Sequence, residues 1–259
     1  MAKILEILRE ALNGYNSPPY DPSLVMVSKP EPSNGAANNG ETLPILFIYL
    51  LNLFSKLIIS QFVVEAGALP EKADPIGVIA ISIFSRPEFH WRNHSLIPIL
   101  ICKIRVVCPV LFGIRGSEDT EQGRARLGWK KENDQWIGDQ PHTTRMTGLG
   151  SGYASICLRD FSGAKSLVNP WPPTEYWQAM ARITATPAEQ MSPTQFVVLR
   201  AMIEHYEAKF LQFYGNAAVA SLRIALVDFP RRATVKSVAV SGLEVLADKL
   251  ERDWGLKLR

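Results

Sequence analysis

Two histidines four residues apart, His90 and His94, are the first residues whose spacing could do chemistry. On one helical face that spacing would offer two imidazoles to a zinc ion. No glutamate follows His90, Pro87 favours a loop, and no third ligand stands nearby, so no metal ligand is assigned. His142 and His205 read as surface residues. Gly148, Gly150 and Gly152 have the superficial look of a dinucleotide fingerprint. That fingerprint needs a strand before it, so that the pyrophosphate meets a helix N-terminus. Here the glycines follow a loop and lie inside a helical stretch. Close helix–helix contact at Gly148 and Gly152 is their expected role. The chain has no phosphate-binding loop ending in Lys-Ser or Lys-Thr, no Gly-x-Ser-x-Gly elbow and no suggestive carboxylate pair. No catalytic residue is assigned.

Basic residues on apolar helices carry more information. Lys56 rides a polar stripe with Asn52 and Ser60, and Lys103 and Arg105 interrupt the apolar run Leu96–Val107. Their stems could simply snorkel along the surface. If two helices bring Lys56 and Lys103 together, they form a small anion pocket, with each charge-assisted hydrogen bond worth about 1.5–3 kcal/mol. The block from Arg115 to Lys131 places Arg124, Arg126, Lys130 and Lys131 beside Glu118, Asp119 and Glu121. Mixed signs of this kind make a solvated helix face or a protein-docking surface.

The elements that must hold these residues read as helix after helix. The chain has 259 residues, 47% hydrophobic and 20% charged, with a net charge of +3: enough for a globular core, too little for a nucleic-acid coat. Cys102, Cys108 and Cys157 are an odd number without paired spacing, which argues against a disulfide framework; all three read as buried small hydrophobes. A short amphipathic helix spans Ala2–Asn13. Asn16 to Thr42 is rich in Pro, Asn, Gly and Ser and reads as a flexible linker, giving a division into 1–40 and 41–259. Leu43–Val64 is apolar and almost long enough to span a membrane, but a lysine at membrane depth costs about 2.5–3.5 kcal/mol, so a domain helix is expected. Further helices are expected from Asp74-Pro75 to Ile83, from Ser95 to the residue before Pro109, and over Ser117–Lys131, Thr143–Phe161 and Thr174–Thr184. The last three span Gln195–Tyr214, Asn216–Phe229 (stopped by Pro230) and Val240–Trp254. The segment 163–173 reads as a loop. No convincing strand appears. The fold class is all-α, a helical repeat of antiparallel neighbours.

Several segments together resemble the C-terminal domain of the Gle-one family of nuclear-pore mRNA-export factors. They are Leu43-Pro44-Ile45-Leu46-Phe47 with Lys56, Asp74-Pro75-Ile76-Gly77, and Cys108-Pro109 after a basic helix. Asp119-Thr120-Glu121-Gln122-Gly123-Arg124-x-Arg126-x-Gly128-Trp129, Arg145-Met146-x-Gly148, Trp177 to Ile183 and Phe213-Tyr214-Gly215-Asn216 continue the match. The resemblance implies a HEAT-like domain similar to the middle domain of translation-initiation scaffolds. Such a domain binds a DEAD-box RNA helicase at the cytoplasmic face of the nuclear pore and stimulates its ATPase cycle; the cytoplasm is a second location. Arg124, Arg126, Lys130 and Lys131 become candidates for docking the helicase. An FG-type nucleoporin binding through a short helical segment is a further implied partner, as are translation initiation and termination factors. Sequence-specific nucleic-acid binding and membrane insertion are not implied. A helical scaffold nucleoporin that only tethers its partners is the competing reading.

In many members inositol hexakisphosphate bridges a basic pocket to the helicase. Here Lys56 matches a pocket lysine, Ser60 falls where some members place a histidine, and Lys103 matches a pocket arginine. Members that depend on the inositol phosphate carry Lys-Lys before Cys-Pro; this chain has Val106-Val107, which Arg105 compensates only in part. Weak or absent dependence on inositol hexakisphosphate is expected. Members also carry a long upstream coiled coil, so the resemblance implies a piece of a longer protein or a shortened form.

Overall fold

Leu5, Leu8 and Ala11 recur on one side of α1 (Ala2–Asn13) and are buried against the body of the protein. The computed structural model describes every residue except 15, 162, 164–166, 235 and 259. It is 65% helical, which is the all-α class. After α1 the chain forms β1 (Pro19–Tyr20), a 3₁₀ turn at Pro22–Val25, and β2 (Leu43–Pro44), which pairs antiparallel with β1. Then come α2 (Ile45–Gln61), widening into a π turn at Phe62–Ala66, α3 (Ala73–Phe84), α4 (Pro98–Val107) and α5 (Glu121–Arg126). A hairpin of β3 (Lys131–Glu132) and β4 (Gln135–Trp136) follows. The remaining helices are α6 (Asp139–Cys157), α7 (Pro173–Thr184), α8 (Pro193–Ile203), α9 (Glu207–Tyr214), α10 (Asn216–Arg223) with a π turn at Ile224–Asp228, α11 (Phe229–Arg231) and α12 (Val238–Trp254).

The helix α6 lies at the centre, between α3, α8 and the π turn after α2. It can do so because its inward side chains are small: Gly148, Gly150, Ser151, Gly152, Ala154 and Ser155 are all buried. A Cβ on Gly152 would sit 2.5 Å from the Phe62 ring, and one on Gly150 would sit 2.8 Å from the Val198 carbonyl oxygen. A Cβ on Gly148 would collide with the Phe62 carbonyl oxygen. The glycines therefore serve helix contact, as expected.

Several expectations need correction. The stretch 16–42 is tied down as a strap rather than loose. The Ile45 amide donates to the Pro18 carbonyl (2.9 Å), and the Trp91 indole donates to the Gly40 carbonyl (2.8 Å). The buried Arg92 guanidinium donates to the Pro30 carbonyl (2.8 Å) and to Glu41 (2.6 Å). Polar composition did not prevent packing, because the body supplies partners for the strap's backbone. The charged helix is only α5, since Gly128 turns the chain at φ 82° and Asn133 and Asp134 (φ 50° and 61°) form the left-handed hairpin turn. The helix at Gln195–Tyr214 is two, α8 and α9, broken where His205 takes φ 74°. Pro230 lies inside α11 rather than ending the run; the preceding π turn takes the register out of the ladder that Pro230 could not join. Residues 164–166 of the expected loop lie outside the described residues. Cys102 is exposed, while Cys108 and Cys157 are buried.

The helix Ile45–Ala66 is long and apolar enough to cross a membrane by length and composition. In the fold it is flanked by α1, α3, α4 and α6, and its Phe47, Leu51, Phe54, Ile58 and Phe62 belong to the core.

Candidate functional site

The helix α2 places Asn52, Lys56 and Ile59, spaced by four and three, on the side facing α4. From α4, which Pro98 opens, come Ile99, Cys102, Lys103, Val106 and Val107. The 3₁₀ turn of the strap contributes Leu24 and Val25. Together they line a groove of about 570 Å³, a ligand-sized volume. Lys56 and Lys103 thus meet in one site. Burial, and then the Lys56 charge, lower the Lys103 pKa from its ordinary value. Neither lysine has a carboxylate partner among the described residues.

Two other candidates do not join them. Arg105 is two residues beyond Lys103, which on a helix turns it about 200° away; its guanidinium lies over the Phe112 ring at 5.8 Å. Ser60 is exposed one turn along α2 and is not among the groove's lining residues. Val106 is 75% exposed at the groove's mouth, so this edge of the groove is accessible and apolar. Leu24 and Val25 are wall residues that composition hid, because they sit in the stretch read as linker.

Of the docking candidates, Arg124 and Arg126 line a second, polar cavity of about 700 Å³, together with Arg115, Glu118 and the segments leading into α8 and α12; Lys130 and Lys131 are not among its lining residues. The candidates do not form one row of free cations. The Arg124 Nε donates to the Glu118 carbonyl (2.6 Å), and its guanidinium lies over the Trp129 ring at 5.0 Å. Lys130 pairs with Glu132 (2.8 Å). Lys131 pairs with Glu121 (3.2 Å) and lies over Trp136 at 4.7 Å. Exposed pairs of this type contribute about 0–1 kcal/mol, so Lys130 and Lys131 remain exchangeable toward a partner. Arg126 is exposed at the cavity rim.

Behind this cavity lies His142, which is buried and not on the surface. Its Nε2 meets the Thr194 hydroxyl at 2.8 Å, and that hydroxyl donates to Glu118 at 2.7 Å. Glu118 also accepts from the Thr194 amide (2.9 Å) near the start of α8, where a carboxylate favours the helix dipole. Burial, then Arg145 and Arg124, push the His142 pKa down to about 4. His90 and His94 turn ring nitrogens to the Phe84 and Arg92 carbonyls, at 3.0 and 2.8 Å. Among the described residues no group of three or more His, Cys, Asp or Glu could hold a metal.

The family model described as GLE1-like protein matches residues 2–226. The chain belongs to that family. It is 58% identical over 257 residues to the mRNA export factor GLE1 of Chaetomium thermophilum, covering 99% of this chain and 48% of the relative. It is 28% identical over 211 residues to the Saccharomyces cerevisiae GLE1, covering 79% of this chain and 38% of that one. The chain therefore spans less than half the length of these GLE1 relatives. It is also similar to a chain of the solved complex of the S. cerevisiae Dbp5 L327V C-terminal domain bound to Gle1 and IP6, with a TM-score of 0.71 and 26% identity over 82% of this chain and 71% of that one. A second such complex, with a substituted Gle1, gives a TM-score of 0.72 at the same identity and coverage. The GLE1-like match begins at residue 2, so α1 and the strap fall inside it.

Proposed function

We propose that this chain is the helicase-binding region of an mRNA export factor. It acts at the cytoplasmic face of the nuclear pore, and in the cytoplasm, by stimulating the ATPase cycle of a DEAD-box RNA helicase during messenger-ribonucleoprotein remodelling. It regulates that enzyme and performs no catalysis itself. One observation carries the reading: a fold likeness over 82% of the chain to a complex of Gle1 with Dbp5 and IP6. An activator of this kind must bind one arrangement of the helicase lobes better than another, because equal affinity for both would shift nothing. An FG-type nucleoporin, engaging through a short helical segment, and translation initiation and termination factors are its further partners on this reading.

Inositol hexakisphosphate binds weakly to this chain on the same reading. The groove offers Lys56 and Lys103, with Val106 and Val107 where dependent members carry two more cations. Two charge-assisted bonds at about 1.5–3 kcal/mol each amount to a loss of roughly 10²–10⁴ in affinity.

The test is a helicase ATPase assay with and without the chain, with and without inositol hexakisphosphate. Stimulation that is largely independent of the inositol phosphate is expected. Binding without any stimulation would replace the activator by a tethering scaffold.

A further inference from the structure

We propose that the polar cavity between α5, α8 and α12 binds a phosphorylated serine or threonine of a partner peptide, with a lysine or arginine of the same peptide beside the phosphate. The inference goes beyond the helicase-binding reading and does not rest on it.

Three guanidinium groups make the phosphate side. Arg115, Arg124 and Arg126 line this one cavity of about 700 Å³. None of them has a carboxylate within ion-pair distance among the described residues. Arg115 is held loosely. Its Nη atoms reach the Gln190 side-chain oxygen and the Ala185 carbonyl at 3.5 and 3.4 Å, beyond the usual span of such bonds, and its buried Nε has no partner. Arg124 is fixed by its Nε bond to the Glu118 carbonyl and by the Trp129 ring, and Arg126 is exposed. On the same wall Ser192 is 3% exposed. The Gln195 amide donates to the Ser192 carbonyl at 3.0 Å, and the Ser192 hydroxyl is left without a hydrogen-bond partner.

This donor set favours a phosphoryl group over a carboxylate. A phosphomonoester brings three acceptor oxygens and close to two negative charges, whereas a carboxylate brings two oxygens and one charge. Arginine forks match phosphate oxygens in pairs, and arginine clusters recur as receptors of phosphorylated motifs.

The cavity's own carboxylates call for a cation next to that phosphate. Glu118 is directed to the Thr194 amide and hydroxyl, and Asp119 accepts from the Ser117 hydroxyl at 3.1 Å. Asp139 and Glu189 are exposed in the lining and have no ion pair among the described residues. A polyphosphate would set its further charges against these groups, and like charges repel. A peptide in which a lysine or arginine adjoins the phosphoresidue satisfies both signs.

The probe is a short fluorescent peptide with one phosphoserine between two lysines. Its unphosphorylated twin, inorganic phosphate and a single-stranded RNA are the comparisons. Anisotropy is read with the intact chain at physiological salt, without helicase. The phosphopeptide should bind at least tenfold tighter than its twin. Arg126→Gln, a surface change, should cut that preference at least threefold. Arg115→Gln with Arg126→Gln should abolish it at unchanged helical circular dichroism. Asp139→Asn with Glu189→Gln should weaken phosphopeptide binding at least threefold; unchanged or tighter binding removes the neighbouring cation and overturns the proposal as stated. Equal binding of the two peptides, or a preference that survives the arginine double variant, overturns it and leaves the helicase reading untouched. Displacement of the phosphopeptide by an equal concentration of inorganic phosphate overturns it in favour of a free-phosphate site. Displacement by an equal concentration of the RNA overturns it in favour of a nucleic-acid backbone.

Discussion

The Trp129 indole lies flat against the His142 imidazole, with ring centroids 3.9 Å apart and 12° between the planes. Because the Thr194 hydroxyl donates to Glu118, its lone pair is left for His142, and the network assigns the imidazole proton to Nε2. Nδ1 is then a buried acceptor with no hydrogen-bond partner. Protonating it would place a charge in a dry site beside Arg145 and Arg124.

The sign of the pH effect follows. The folded pKa of about 4 lies below the unfolded value of about 6.5, so between them the unfolded chain binds more protons. Stability falls as pH drops through that window and levels off below it. From pH 7 to pH 5 the loss from His142 is about 2 kcal/mol. Urea denaturation of the wild type and of His142→Gln at both pH values checks this. An unchanged difference between the two proteins would contradict it.

Gly152→Ala should destabilise the chain by about 1–3 kcal/mol, the usual cost of overpacking, because the added Cβ meets the Phe62 ring at 2.5 Å. Gly163→Ala is the control, with nothing within 4 Å of its new Cβ. Thermal melts of both should separate them by several degrees.

Arg92→Ala should loosen the strap. The bond to the Pro30 carbonyl is buried at both ends, whereas Glu41 is 71% exposed and contributes less. Loss of the buried charged bond costs about 1.5–3 kcal/mol. Limited proteolysis within residues 16–42 should speed up at least tenfold. An unchanged cleavage rate would show that the backbone bonds at Pro18 and Gly40 suffice.

Val106→Lys with Val107→Lys should raise affinity for inositol hexakisphosphate at least a hundredfold, by the same charge arithmetic in reverse. Titration calorimetry at physiological salt measures it. No gain would mean that the two positions do not face the bound anion.

Helix starts were legible to within three residues: expected at Ser95 and Gln195, α4 and α8 begin at Pro98 and Pro193. The break at His205 was not, because the apolar positions of α8 and α9 face the same core and keep one period across it. The hairpin at residues 131–136 had a readable signal in Asn133-Asp134, a pair suited to a left-handed turn. The convergence of Lys56 and Lys103 was legible by resemblance. The divergence of Arg105, expected to share the pocket, was missed, although two steps along a helix turn a side chain by about 200°. Leu24 and Val25 were beyond local reading. What holds their segment is Arg92, 62 residues from its Pro30 partner.

Because the strap supplies one bank of the groove, a chain trimmed to begin at Glu41 would retain both lysines and every residue of α4. It would still lack the side chains that turn an open helix crevice into a bounded channel. It would also strip the cover that Leu5, Leu8 and Ala11 provide. Selectivity in such a shortened protein would then rest on α2 and α4 alone, with the Leu24 and Val25 wall gone.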